Sequence, residues 1–150
     1  MCLFNANIIN LEEDLTVYKI LIKNRTVTYG DKKYTFELCS PYYPYNWKLN
    51  TEYNTNCQPY SFWQYMGHKN VLNVYGNAFH SFENFNDAID GLMEITSHNI
   101  NTEYGKNTFV IAECVIPKSS EFVYCGYFDK APCYASTSLI VKEIVYEHKN

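Results

Sequence analysis

Three side chains in this sequence have the types and settings that proton chemistry uses. Glu113 stands in the run Asn107 to Ile116 with Phe109, Ile111 and Val115 at alternate places, so a strand there sets a carboxylate on an apolar face. A carboxyl group held away from water keeps its proton at higher pH, which suits a general acid. His80, inside Ala78-Phe79-His80-Ser81-Phe82, has the type of a general base or of a polar group lining a pocket. Glu143 follows Lys142 and the two charges interrupt the apolar stretch Leu139 to Tyr146, either as a late-strand catalytic glutamate or as a bulge that puts both charges outside. Each has a simpler account as well. Glu113 can sit solvated at a sheet rim or beside a lysine, and His80 can be a half-buried histidine bonded to backbone. No Cys, Ser or Asp partner stands at a motif spacing from His80, and Ser40, Ser81, Ser136 and Ser138 belong to no nucleophile elbow. The sequence has no phosphate-cradling glycine loop, no HExxH and no EF-hand spacing.

Cysteines stand at 2, 39, 57, 114, 125 and 133, no two of them within four residues, and His68, His80, His98 and His148 do not join them at metal-ligand spacing. The expectation is reduced, buried thiols acting as small hydrophobes, with no metal and no cofactor.

Recognition chemistry is written more densely. Between Cys39 and Lys69 Pro41, Pro44 and Pro59 break any periodicity, yet Tyr42, Tyr43, Tyr45, Trp47, Tyr53, Tyr60, Phe62, Trp63 and Tyr65 crowd into the same excursion. Long irregular segments inside a compact domain commonly carry function. Tyr and Trp cover a large area at small entropic cost and keep a polar handle, so they concentrate binding energy. Some rings are expected to pin the excursion and others to face out, with Tyr42, Tyr43, Tyr45, Trp47, Tyr53, Tyr60 and Trp63 as the candidate binding residues.

The elements that must position these residues are legible in outline. Thr16 to Lys23 is β-branched and aromatic and reads as a strand. Val27 and Tyr29, then Tyr34, Phe36 and Leu38, flank the turn Gly30-Asp31-Lys32 and predict a hairpin. Val71 to Tyr75 and Ala78 to Phe82 are short apolar runs. Asn84 or Asn86 then caps a helix whose Phe85, Ala88, Ile89, Leu92, Met93 and Ile95 recur at three- and four-residue intervals. Asn107 to Ile116 is apolar on both faces and predicts a central strand stopped by Pro117; Glu121 to Phe128 and Ser136 to Tyr146 follow, with a turn at Asp129 to Pro132. The expected architecture is α+β: a single domain over 1–150 with a twisted, mostly antiparallel sheet of six or seven strands, one main helix and a long aromatic-rich loop.

Composition bounds the partners. The chain of 150 residues is 47% hydrophobic, 17% aromatic and 19% charged, enough apolar mass for one core. Sixteen acidic against twelve basic residues give a net charge of −4, and Arg25 is the sole arginine, which disfavours non-specific binding to nucleic acid. A protein partner with a basic patch, including one that normally holds RNA or DNA, suits that balance better. No apolar run is long enough for a membrane span, and the opening residues lack a signal peptide's basic start and long apolar run, so the expectation is a soluble, intracellular chain.

Several phrases carry a resemblance. Val17-Tyr18-Lys19-Ile20-Leu21, Ser40-Pro41-Tyr42 followed by Trp47, Asn77 to Phe82 before Asp87-Ala88, Val115-Ile116-Pro117-Lys118 and Ala135-Ser136 together resemble short uncharacterised proteins carried by phages and prophages of Bacteroidetes. Asn77-Ala78 and Ser119 stand where that group usually has glycines. The resemblance implies a mobile-element accessory protein, and the leading expectation is a non-enzymatic binder that blocks a host defence nuclease of the CRISPR type. More distantly, the order of elements is similar to ADP-ribosyltransferases, as a degenerate version of that fold. That likeness implies an alternative reading as an NAD-using transferase with a cleft between Lys19, His80 and Glu143 or Glu113, although Lys19 replaces the usual Arg or His. A minor virion component is the third expectation.

Overall fold

The structure is a computed structural model that describes residues 3–41, 45–55, 60–62, 71–73, 78–98 and 107–148, with the backbone alone for 60–62, 71–73 and residue 98. Among the described residues eleven strands and one helix follow in order: β1 (Phe4–Ile9), β2 (Leu15–Tyr29), β3 (Lys32–Cys39), β4 (Glu52–Asn54), β5 (Tyr60–Phe62), β6 (Val71–Asn73), β7 (Phe79–Phe82), α1 (Phe85–His98), β8 (Thr108–Ile116), β9 (Val123–Phe128), β10 (Ala131–Ser136) and β11 (Ser138–His148). The main sheet runs β1-β9-β10-β7-β2-β8-β11-β4, antiparallel throughout, with β3 hydrogen-bonded to β2 as a ninth strand. It curls into a half-barrel. β5 and β6 form a separate two-stranded sheet.

Strands take 62% of the described residues and the helix 12%, which overturns the α+β expectation of six or seven strands. The fold is more nearly all-β. The strands missing from the sequence reading are those with weak intrinsic signals. In β1, FNANII has asparagine at alternate places, and in β10 a proline at the second position resembles a turn. Tertiary pairing overrides both preferences. Pro132 is tolerated because β7 pairs with β10 only from Cys133 onward, and its carbonyl accepts from Glu83 N at 3.0 Å.

Pleating sends alternate residues of β2 into two apolar layers. Ile20 and Ile22 join Phe109, Ile111, Phe82 and Tyr124 under α1, which contributes Ala88 and Leu92. Val17 and Leu21 join Ala112, Cys114, Phe79, Leu139, Val141 and Trp47 on the other side. Burial on both faces explains the apolar run of β8, which Glu113 interrupts. Asn84 begins α1: its carbonyl accepts from Ala88 N at 3.2 Å and its carboxamide donates to Asp87 at 3.1 Å. Met93, placed with the apolar face by spacing, is exposed because it falls about 100° around the helix from Leu92.

One close approach and one polar corner shape the sheet. A Cβ on Gly126 would lie 2.6 Å from the Phe4 carbonyl oxygen and 3.2 Å from Ala6 Cα, so the bulged strand β1 can pass over β9 only at a glycine. At the corner between β10 and β11, the buried Ser136, Thr137 and Ser138 satisfy one another and their surroundings. Ser136 Oγ donates to Ser138 O at 2.8 Å, and Thr137 Oγ1 accepts from Phe122 N at 3.0 Å.

Candidate functional site

The described part of the aromatic excursion, residues 45–55, closes one flank of the half-barrel. Its start is tied to β3 by a bridge between Cys39 and Asn46 and by Trp47 N donating to Leu38 O at 2.8 Å. Its end is β4, which pairs with Ser138 to Ile140 of β11, and Asn50, at φ 56°, donates to Val141 O at 2.8 Å. Arg25 reinforces the base: its guanidinium donates to the carbonyls of Ser40 at 3.1 Å and Pro41 at 2.9 Å. These backbone ties, more than propensity, order a segment that carries no periodic pattern.

Four rings pack where the segment meets the sheet. Trp47 lies 5.0 Å from Phe79 of β7, 5.1 Å from Tyr53 and 4.8 Å from Tyr45, ring centre to ring centre. Tyr45 also meets Tyr53 at 5.4 Å and Phe79 at 5.5 Å, both edge to face. Trp47 is 1% exposed and its Nε1–H donates to Ser40 Oγ at 2.8 Å, so it is a core residue and not the outward contact expected of it. The indole is drawn in because its apolar area packs into the layer of Val17, Leu21 and Leu139 while Ser40 takes its one polar atom. Tyr53 is half-buried and its hydroxyl accepts from Lys48 N at 3.0 Å. Tyr45 keeps 37% of its surface in solvent, next to the pinned rings, and Leu49 of the same segment is exposed as well. Burial pushes the Tyr45 phenol above its ordinary 10, with the neighbouring Tyr53 adding to the shift, so it is a neutral donor and acceptor at physiological pH. Tyr42, Tyr43 and Trp63 lie outside the described residues, and Tyr60 is described by its place in β5 alone.

The four residues of the transferase reading do not converge. Tyr18 of β2 pairs with Glu113, and Lys19 pairs with Ala112, so the pleat puts Glu113 and Lys19 on opposite faces of the sheet. Glu143 pairs with Glu113 and shares its face. The bulge between Val141 and Glu143 lets Lys142 and Glu143 both stay exposed. His80 lies buried on β7, and its Nδ1–H donates to the Ala78 carbonyl at 3.0 Å. Lys19 reaches toward the same strand from the other side, its ammonium donating to the His80 backbone carbonyl at 2.7 Å and lying 5.7 Å from the centre of the Trp47 ring. Burial of that ammonium draws its pKa from 10.5 to about 8, although the residue as a whole keeps partial contact with solvent. The thiols of Cys114 and Cys133 are pushed up to about 12 by burial and stay protonated at neutral pH, while Cys39 is raised by the same cause. Among the described residues no three His, Cys, Asp or Glu side chains form a group that could hold a metal ion, and no helix is long and apolar enough to cross a membrane.

Two features escaped the sequence reading. The hairpin of β2 and β3 projects beyond the sheet, because β8 stops pairing at Lys23, and it carries Tyr29 and Tyr34 with rings 5.9 Å apart, 52% and 43% exposed. The alternation Val27, Tyr29 and Tyr34, Phe36 was the available signal, but it reads equally as a buried face. The second is the apolar surroundings of Lys19, announced by Val17 and Leu21 two places to either side.

No family model matches this chain, and no curated protein and no solved structure matches it.

Proposed function

We propose that the protein is a phage or prophage accessory protein that acts by binding a host protein, a nucleic-acid-handling effector of the CRISPR-nuclease type, through the aromatic surface of residues 45–55. The observation that carries this reading is Tyr45, an exposed ring held by Trp47, Tyr53 and Phe79 in a backbone-tied segment. A pre-organised aromatic loses little freedom on binding, which is where anchor residues gain their affinity. The net charge of −4 favours a partner whose own surface is basic, as a protein built to hold nucleic acid must be. Opposite-face placement of Lys19 and the two glutamates gives the NAD-using alternative no such support.

The test is recovery of a partner from host lysate by the wild type and by Tyr45→Ala, followed by inhibition of the purified nuclease. Tyr45→Ala is expected to weaken binding roughly tenfold or more, the scale of an anchor residue, at unchanged folding. Equal recovery by both proteins rules this surface out as the binding site. Saturable heat on titration with NAD would restore the enzyme reading, and the presence of the chain in purified particles would make it a virion component.

A further inference from the structure

We propose that Lys19 is a nucleophilic amine on the apolar sheet face that carries Val17 and Leu21, placed to form an imine with a small carbonyl compound. Geometry sets it apart from the other seven described lysines. Lys19 sits between Val17 and Leu21 on the apolar face that also carries Phe79, Cys114 and Trp47. Among the described residues its ammonium meets a carbonyl oxygen, that of His80, and the face of an indole, and pairs with no carboxylate. A lysine held in apolar surroundings without an acid partner is uncommon in a folded chain, because the charge is costly to bury. The same desolvation favours the neutral amine, the form that attacks carbonyl carbon.

A second unexplained group lies on this face. Tyr18 pairs with Phe82, so the antiparallel register sets Ser81 beside Lys19, on the side of the sheet where Phe79 lies. Ser81 Oγ is fully buried and has no hydrogen-bond partner among the described residues. A buried hydroxyl without a partner calls for one, and a carbinolamine hydroxyl formed at Lys19 would supply it. Lys19 as a residue keeps partial contact with solvent.

The chemistry balances without a redox partner. The Nζ lone pair adds to the carbonyl carbon, and the proton lost from nitrogen ends on the former carbonyl oxygen, giving a carbinolamine. Loss of that oxygen as water leaves the carbon–nitrogen double bond, so the amine and the aldehyde become imine plus one water. Among the described residues the titrating group that acts on Lys19 is the Cys114 thiol of β8, which stays neutral until about pH 12.

The experiment treats the full chain with limiting propanal and cyanoborohydride, which reduces any imine to a stable N-propyl amine, and maps the modified lysines by peptide mass spectrometry. At pH 7.5 Lys19 is expected to label on the order of tenfold faster than Lys32 and Lys33 of the exposed hairpin. The rate at Lys19 should rise with a midpoint of about 8. In urea-unfolded protein the preference should vanish, since it belongs to the fold and not to the local sequence. Labelling of native Lys19 no faster than Lys32 and Lys33, or a preference that survives unfolding, overturns the proposal. Ser81→Ala, which keeps the amine and its apolar setting, is expected to retain the adduct at a rate lowered several-fold; loss of the Lys19 preference in that variant would make the serine, and not desolvation, the source of the reactivity, and would overturn the proposal as well.

Discussion

Trp47 and Tyr45 stand two residues apart and have opposite duties. The indole is buried among Phe79, Tyr53 and the apolar layer of Val17, Leu21 and Leu139, so Trp47→Ala is expected to remove about 3–5 kcal/mol of stability, read by chemical denaturation. Tyr45→Ala should change stability by less than about 1 kcal/mol while reducing partner binding, because more than a third of the residue's surface already faces water. Equal destabilisation by the two substitutions would mean that Tyr45 is a core residue as well. Lys19 gives a prediction in pH. A base whose pKa falls from 10.5 in the unfolded chain to about 8 in the folded one is charged at a cost below pH 8. Between about 8 and 10.5 the unfolded state holds more protons, so this residue's unfavourable contribution fades and stability rises with pH. Burial of Cys114, Cys133 and Tyr134 acts the other way above their ordinary values of 9 to 10. The difference between wild type and Lys19→Met isolates the lysine: the variant should be more stable at pH 7 by up to about 3 kcal/mol, and the gap should close toward pH 10. A gap independent of pH would show that the ammonium is solvated.

At the scale of elements, the junction of β1 and β9 depends on one missing Cβ. Gly126→Ala sets a methyl group against the Phe4 carbonyl at 2.6 Å, a backbone atom that cannot swing aside, and β1 must lift from β9. The expected loss is about 1–3 kcal/mol, with early hydrogen exchange in Asn7 to Ile9, and normal exchange there would place the strain elsewhere. Strong local patterns were readable from sequence at this scale. The β2–β3 hairpin turns at Gly30, φ 59°, between Tyr29 and Lys32, and α1 begins directly after Asn84. β8 spans Thr108–Ile116, within the run expected from Asn107. What escaped was whatever pairing alone decides. β1, β4 and β10 carry asparagine, proline or only three residues, and they are strands because β9, β11 and β7 offer them partners. The same limit applies to the site. Aromatic density marked residues 45–55, but which ring faces outward depends on register: Ser40 and Phe79 claim Trp47, and nothing among the described residues covers Tyr45 to the same extent.

For the whole molecule the governing facts are a curled body, an acidic balance and a projecting hairpin. From Lys23 to Tyr29 β2 runs six residues past its last pairing with β8, roughly 20 Å of ribbon paired with β3. Residues 24–37 hold Arg25, Lys32 and Lys33 against Asp31 and Glu37, a net +1, which leaves −5 for the remainder of a chain at −4. The acidity therefore belongs to the body that carries Tyr45. A field of that sign draws in a basic partner over distances comparable to the Debye length, about 8 Å in physiological salt, and loses its reach as salt rises. If the partner is a protein whose basic surface normally holds nucleic acid, raising sodium chloride from about 0.05 to about 0.5 M should slow association roughly tenfold and leave dissociation nearly unchanged. Surface plasmon resonance on the recovered complex separates the two rates. Nucleic acid that occupies the same basic surface should compete for it, and Tyr45→Ala should raise the dissociation rate without altering the salt dependence of association. An association rate insensitive to salt would leave the aromatic surface as the whole of the recognition and give the body's charge no part in it.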